Sequence, residues 1–296
     1  MIKIYLFIIF FLSIIFVLYL VDRRKMKERI NVSFDTKGDF NIPFYEEENI
    51  IPREIYRIYG LKDDKDDLDN YQFIFEETKK ISPDLKENIL FGKEEIENFV
   101  LEYYNQEVLD TIRLINYNYS ACVSDIIRLL IIYAKGGVYL DIKTQLLDDI
   151  TLELDYYPDK LLVSHFSSIP FVFTGWSDLP PYGEISNWFF ASPKGNPVLR
   201  ECIIQGLTNI REAYKEKEKY DHGEPYILSL TGPYMITQVI KISKNIDKVK
   251  FLSSMSLSNF ILSGWNGKLR KEAYNLDNNK IQRGRHWKEL REPLFN

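Results

Sequence analysis

Asp125 and Arg128 stand three residues apart inside a stretch that is otherwise largely apolar, residues 119–134 (YSACVSDIIRLLIIYA). If that stretch is helical, the two side chains share one face. Burying charge is expensive, so an acid and a base there need a reason. Beyond Gly136 and Gly137, a second acid, Asp141, closes a short apolar run, and Lys143 follows two residues later. In an extended chain Asp141 and Lys143 face the same side, and ligands of α/β sheets gather at the carboxyl ends of strands. Asp125, Arg128, Asp141 and Lys143 can therefore converge on one polar ligand. Taken singly they have plainer readings: an intrahelical ion pair for the first two, a turn residue for Asp141. The order acid, base, Gly-Gly, strand, acid is far more specific than any of its parts.

The elements that must position these residues follow from periodicity and punctuation. The stretch 119–134 has apolar residues around most of its circumference, which predicts a buried helix. Gly136-Gly137 after Lys135 fits its C-terminal cap. Residues 138–142 (VYLDI) read as a short buried strand. Upstream, residues 50–59 (IIPREIYRIY) alternate after Pro52 like a first strand ended by Gly60, and 62–70 (KDDKDDLDN) is a charged loop. A strand and short helix are expected over 71–81, a helix over 83–104 and another over 108–115. Downstream, strands are expected at 161–166 and 186–191, an amphipathic helix over 197–220, and a turn at Thr231-Gly232 with Pro233 opening a helix. A strand is expected over 253–260, before a Gly- and Asn-rich tail. No internal repeat is evident. Strands alternating with helices predict a mixed α/β sheet layered by helices.

Composition excludes several function classes. The chain of 296 residues carries 38 basic and 43 acidic side chains, a net charge of -5. Within the first thirty residues Lys3, Arg23, Arg24, Lys25, Lys27 and Arg29 face only Asp22 and Glu28, leaving 32 basic against 41 acidic residues, or -9, for the rest. So acidic a body is a poor partner for nucleic acid. A 45% hydrophobic and 15% aromatic content excludes disorder. The two cysteines, Cys122 and Cys202, exclude a disulfide scaffold and a cysteine-based zinc site, and three histidines do not suggest a His-rich metal centre.

The N-terminus reads differently. Residues 4–21, from Ile4 to Val21, form an apolar run broken only by Ser13, about 27 Å long as a helix and enough for a bilayer core. Charged residues from Asp22 to Lys25 follow in place of a cleavage site, so 1–21 is expected to be an uncleaved single-span anchor. Residues 22–49 are expected to be a stalk, and 50–296 the functional domain. The basic downstream flank favours a cytoplasmic body. A Golgi or ER lumenal body is the alternative, in which Asn31 and Asn118 would be glycosylation sites.

Residues 119–146 resemble the signature of the DXD-containing sugar transferases related to the initiating α-1,6-mannosyltransferase, the inositol-phosphoceramide mannosyltransferases and the clostridial glucosylating toxins. The shared pattern is small-x-x-Ser-Asp-x-x-Arg, an apolar helix, Gly-Gly, and a strand ending Tyr-x-Asp-x-Asp. The strand at 51–59 resembles the family's opening Ile-Pro-Lys-x-Ile-His-x-x-Trp. Residues 187–192 (NWFFAS) and Thr231-Gly232-Pro233 resemble later family segments. The resemblance implies a GT-A fold, a Rossmann-like mixed sheet flanked by helices, and transfer of a hexose from a UDP- or GDP-sugar to a glycan or glycolipid acceptor with retention of configuration. It also implies roles. Ile51 and Tyr59 would bind the donor, Tyr59 by packing on the base. Asp125 and Arg128 would contact the donor sugar, and Asp141 would be the motif's first acid, near sugar and metal.

Lys143 is the departure from the pattern. The second acid normally ligates the Mn²⁺ or Mg²⁺ that holds the diphosphate, and an ammonium cannot do so. Three accounts follow. Lys143 itself neutralises the diphosphate; or a metal binds through Asp141, the diphosphate and a distant ligand such as His286; or the protein is an inactive sugar-nucleotide or glycan-binding pseudoenzyme on the same fold. Literal Asp-x-Asp triplets at Asp64 to Asp66 and Asp67 to Asp69 sit in a charged loop with no strand before them. A Gly-flanked His286-Trp287 pair near the C-terminus fits a lid that closes on the donor, with Trp287 as a donor contact. Asn187 and Trp188 are candidates for the acceptor side, and Cys122 for a small core residue.

Overall fold

A computed structural model of the chain describes residues 40–61, 68–165, 183–220, 226–252, 261–263 and 290–296. β1 (Glu54–Tyr59) is followed by α1 (Gln72–Ile81), β2 (Lys86–Phe91), α2 (Gly92–Tyr103), α3 (Gln106–Arg113) and α4 (Ser120–Lys135). Next come β3 (Gly137–Leu140), β4 (Thr144–Leu146), α5 (Thr151–Tyr156), β5 (Leu161–Ser164) and β6 (Phe189–Ser192). α6 (Pro197–Lys215), α7 (Ile227–Leu230), α8 (Pro233–Ile242), β7 (Val249–Leu252) and β8 (Ile261–Ser263) complete the order. Six strands form one mixed sheet in the order β2-β1-β3-β6-β5-β7, and β4 pairs with β8 in a separate ribbon. β6 runs antiparallel to both of its neighbours, β3 and β5, whereas the β1–β2, β1–β3 and β5–β7 pairs are parallel.

Side-chain alternation along the strands sorts the core into two layers. Tyr56 and Ile58, Tyr139, Leu161 and Val163, and Phe190 point into the larger layer, against α2, α3, α4, α6 and α8. Ile55, Val138 and Leu140, Leu162, and Phe189 and Ala191 point into the smaller one, with Leu146 and Leu154. α4 lies deepest. Twelve of its sixteen residues are buried, which is what an all-round apolar helix requires. It stops because Gly136 and Gly137 both take positive φ, +69° and +96°, so the chain turns directly into β3. A Cβ on Gly137 would lie 2.6 Å from the Glu54 carbonyl oxygen of β1. Gly137→Ala is therefore expected to cost about 1–3 kcal/mol of stability from backbone strain alone. A urea-unfolding midpoint equal to that of the native chain would contradict this.

Several expectations are corrected. Residues 71–81 contain no strand: a 3₁₀ turn, Leu68–Tyr71, leads straight into α1. The helix expected over 83–104 begins only at Gly92, and β2 precedes it, paired in parallel with the whole of β1. α5 and β7 were not anticipated, and the strand expected at 253–260 lies outside the described residues. Residues 40–49, expected to belong to the stalk, pack on the domain instead. Phe40 and Ile42 are buried in the larger core layer, Arg211 stacks on Phe40 at 3.9 Å, and Glu48 N–H donates to the Lys194 carbonyl at 3.1 Å. Residues 40–49 are thus a strap laid on the domain. The apolar run 4–21 lies outside the described residues; among the described residues no helix is long and apolar enough to cross a membrane.

Candidate functional site

β1 and β3 are neighbours, but the chain leaves β1 toward β2 on one side while β3 continues the sheet on the other. The crevice beyond the carboxyl ends of such a strand pair is where α/β sheets bind ligands. Tyr59 ends β1 there, and Asp141 follows the last residue of β3. Asp141 N–H donates to the Trp188 carbonyl at 3.1 Å, and the chain then folds back, Thr144 N–H donating to the Asp141 carbonyl at 2.8 Å. Residues 141–144 are therefore a turn, which corrects the extended geometry expected for Asp141 and Lys143. The Lys143 ammonium lies 5.9 Å from the Tyr71 ring centre.

Arg128 joins the predicted residues. Its Nη2 lies 3.2 Å from Asp125 Oδ1, one helical turn back, and its Nη1 lies 3.2 Å from Asp141 Oδ1. Its Nε donates to the Ser124 carbonyl at 3.1 Å, its Nη1 also donates to the Asn187 carbonyl, and its guanidinium stacks over the Tyr139 ring at 4.8 Å. The Tyr139 hydroxyl donates to Asp141 Oδ1 at 2.8 Å. The intrahelical pair and the convergent site are thus the same object. Exposure separates its members: the side chains of Asp125 and Arg128 are 4% and 5% exposed, that of Asp141 38%. Asp141 is the member that opens onto solvent, and the other two stand behind it.

Electrostatics follow from that layering. Burial pushes the Asp125 carboxyl up to about 7; Arg128 opposes the shift, Asp141 adds to it, and the hydrogen bonds from Asn187 and Thr231 oppose it. Burial works against the Arg128 cation, but Asp141, Tyr139 and Asp125 outweigh it, and its pKa is raised. Two carboxylates around one guanidinium leave the cluster acidic when all three are charged.

Residues that the sequence reading gave other roles, or none, complete the site. Asn187, expected on the acceptor side, instead donates from Nδ2 to Asp125 Oδ1 at 2.7 Å. The Thr231 hydroxyl lies 3.5 Å from Asp125 Oδ2 and 3.2 Å from the Cys122 sulfur. A Cβ on Gly232 would sit 3.2 Å from Asp125 Oδ2 and 3.0 Å from the Leu228 Cα, so only glycine packs easily there. Arg57 was overlooked altogether. It lies fully buried in β1, its Nη1 donating at 2.7 Å to the carbonyls of both Asp141 and Thr144. The available signal was a lone cation in a strand of alternating apolar residues.

Tyr59 packs edge-on to Tyr71, ring centres 5.0 Å apart, and beside Phe91 at 6.1 Å. Lys143 and Tyr59 thus share the Tyr71 ring as neighbour. Ile51 is placed elsewhere: it precedes β1, at the strand end opposite Tyr59, and is buried with Ile55 and Val138 in the smaller core layer. That corrects its assignment to the donor site. His286 and Trp287 lie outside the described residues, as do the triplet Asp64 to Asp66 and Asp67 of the second triplet, whose Leu68 and Asp69 open the 3₁₀ turn before α1.

The described donor set does not fit a divalent cation. Asp141 Oδ1 is already taken by a cation and a phenol, the second acid is a lysine, and among the described residues no group of three His, Cys, Asp or Glu side chains could hold a metal.

Comparison with known proteins bears on this geometry. Residues 47–162, which include β1, α4, β3 and the Asp141 turn, match the family model described as the glycosyltransferase sugar-binding region containing a DXD motif. Among solved structures the chain is similar to "PaToxG Glycosyltransferase", with 20% identity over 77% of this chain and 76% of that chain and a TM-score of 0.45. No curated protein matches the chain. The segment that builds the Asp125–Arg128–Asp141 cluster therefore lies inside the match to the glycosyltransferase sugar-binding region containing a DXD motif.

Proposed function

We propose that the protein is a glycosyltransferase that moves a hexose from a UDP- or GDP-sugar to a hydroxyl of a glycan or glycolipid, with retention of configuration. The observation that carries this reading is the convergence of Asp125, Arg128 and Asp141 on one network at the carboxyl end of β3, inside the region matched to the family. The base of the donor packs at Tyr59. Asp141, the open acid, accepts hydrogen bonds from donor hydroxyls, while Arg128 and Asp125 fix its charge and direction from behind. Lys143 meets the diphosphate as a point charge. In the transfer, the bond from the anomeric carbon to the diphosphate breaks and one from that carbon to the acceptor oxygen forms. The acceptor proton goes to the departing diphosphate, which lies on the same face. Catalysis is then chiefly positioning and stabilisation of the charge that develops on the diphosphate.

Membrane anchoring through residues 4–21 belongs to the same proposal. It is supported by the length of that apolar run, and the basic flank from Arg23 to Arg29 supports a cytoplasmic body.

The test is donor hydrolysis by the full-length chain in detergent, across UDP- and GDP-hexoses, with Mn²⁺ and separately with EDTA. Turnover in EDTA that falls in Lys143→Ala is the expected result. Turnover that needs Mn²⁺ and ignores Lys143→Ala would move the diphosphate to a metal held by other ligands. Donor binding without turnover by any preparation would make the protein a sugar-nucleotide-binding pseudoenzyme.

A further inference from the structure

Arg57 has no place in the transfer chemistry above, and its surroundings call for one. It is a cation with no solvent access in the second strand of the sheet, between β2 and β3. By the period of the strand it shares a face with Ile55, in the smaller core layer. Its Nε donates to Glu87 of β2, two positions from its own register partner Ile89. Nη2 reaches the Thr78 hydroxyl of α1 at 3.4 Å, and the guanidinium lies 5.4 Å from the centre of the Phe75 ring. Nη1 carries two hydrogens and uses both on backbone: the carbonyls of Asp141 and Thr144, each at 2.7 Å.

Those two carbonyls bracket the turn that presents Asp141 and Lys143. The Asp141 carbonyl accepts a second bond, from Thr144 N–H at 2.8 Å, which closes the turn. One nitrogen therefore pins both ends of a four-residue turn from underneath. The planar fork of the guanidinium, held by Glu87 and Thr78, fixes where that nitrogen sits. A buried pair of charges is weak as a source of stability, since apolar residues of similar size often serve as well. Its retention under this turn points to geometry.

We infer that Arg57, oriented by Glu87, is a positioning residue for the donor site: it sets the turn 141–144 so that the Asp141 carboxylate meets Arg128 and Tyr139 while Lys143 is directed to the Tyr71 side. This rests on the glycosyl-transfer reading for its catalytic consequence, but the hold on the turn can be tested apart from it.

The experiment compares native chain, Arg57→Lys and the double variant Arg57→Met/Glu87→Met. Each is followed by urea unfolding, by amide hydrogen exchange at Thr144 and by donor turnover. The double variant removes both charges together and is expected to keep the native unfolding midpoint. Arg57→Lys keeps the charge but cannot hold Glu87 and both carbonyls from one point, and it stands in should the double variant fail to fold. In the folded variant, Thr144 exchange is expected to rise about tenfold or more, and kcat to fall about tenfold or more with donor KM within about threefold of native, the pattern of lost orientation rather than lost binding. Thr144 exchange at the native rate would overturn the inference whatever the turnover. Faster exchange with native kcat would overturn it too, by showing that the turn need not be held. If the native chain turns over no donor, the transfer reading fails by itself, and Thr144 exchange still decides whether Arg57 holds the turn.

Discussion

Arg128→Met is expected to lower the unfolding free energy by about 3–5 kcal/mol, because removing one partner of a buried charge network strands the others. Asp125 would face Asp141 with no cation between them, and the carbonyls of Ser124 and Asn187 would lose their guanidinium donor. Asp125 has almost no access to water and would have to bind a proton or move. Methionine fills much of the volume but offers no hydrogen. Arg128→Lys is expected to fall between native and methionine, since a single ammonium cannot match the fork that reaches two carboxylates. Urea unfolding at pH 7 measures both. A loss below about 1 kcal/mol for the methionine variant, the size of a surface ion pair, would show that the cluster is held by packing and not by this cation. Donor turnover is expected to vanish in both variants.

Asp141→Asn is expected to behave in the opposite way, leaving the fold intact and removing about two orders of magnitude or more of donor turnover. The side chain is partly open to solvent, and an amide can still accept from the Tyr139 hydroxyl. Arg128 keeps Asp125 as its partner. What changes is the charge at the mouth of the site and the strength with which an acceptor holds donor hydroxyls. The measurement is kcat and KM for whichever donor the native chain prefers, beside an unfolding curve for each protein. An asparagine variant within about threefold of native kcat would remove Asp141 from the reaction and leave it a structural turn residue.

The two variants differ because the site has a front and a back, and that division was invisible in the sequence. α4, the Gly-Gly stop and β3 were legible since each rests on local signals: an all-round apolar helix, two glycines that must take positive φ, and a short apolar strand. Asp125, Arg128 and Asp141 could be picked out because charge in such a setting is costly. Their layering depends on Asn187 and Thr231, which arrive from segments more than sixty and one hundred residues downstream of Asp125. Lys143 was misdirected because a rule for extended chain was applied across what is a turn. β2 was lost for a different reason. Its apolar Ile89 to Phe91 core is too short for periodicity to separate strand from helix, and the long helix-like stretch after it absorbed it. Arg57 was missed because its two carbonyl partners lie more than eighty residues away and belong to backbone, which a residue-type pattern does not display.

The strap of residues 40–49 bears on mechanics. It is fastened at intervals: Asn105 to the Asn41 carbonyl at 2.8 Å, Arg200 to the Ile42 carbonyl at 3.3 Å, the Tyr133 hydroxyl to the Pro43 carbonyl at 3.1 Å, and Glu48 to Lys194. A pull arriving from the N-terminal side meets Phe40 first and these fastenings one after another, as adhesive tape is peeled from one end. Peeling loads each bond in turn rather than all at once, so the strap yields progressively at low force. The load reaches β1 only after the last fastening has gone, and the turn of Asp141 lies beyond the opposite end of the parallel strands. Tension applied from the N-terminal side would thus be spent in the strap before it could distort the site.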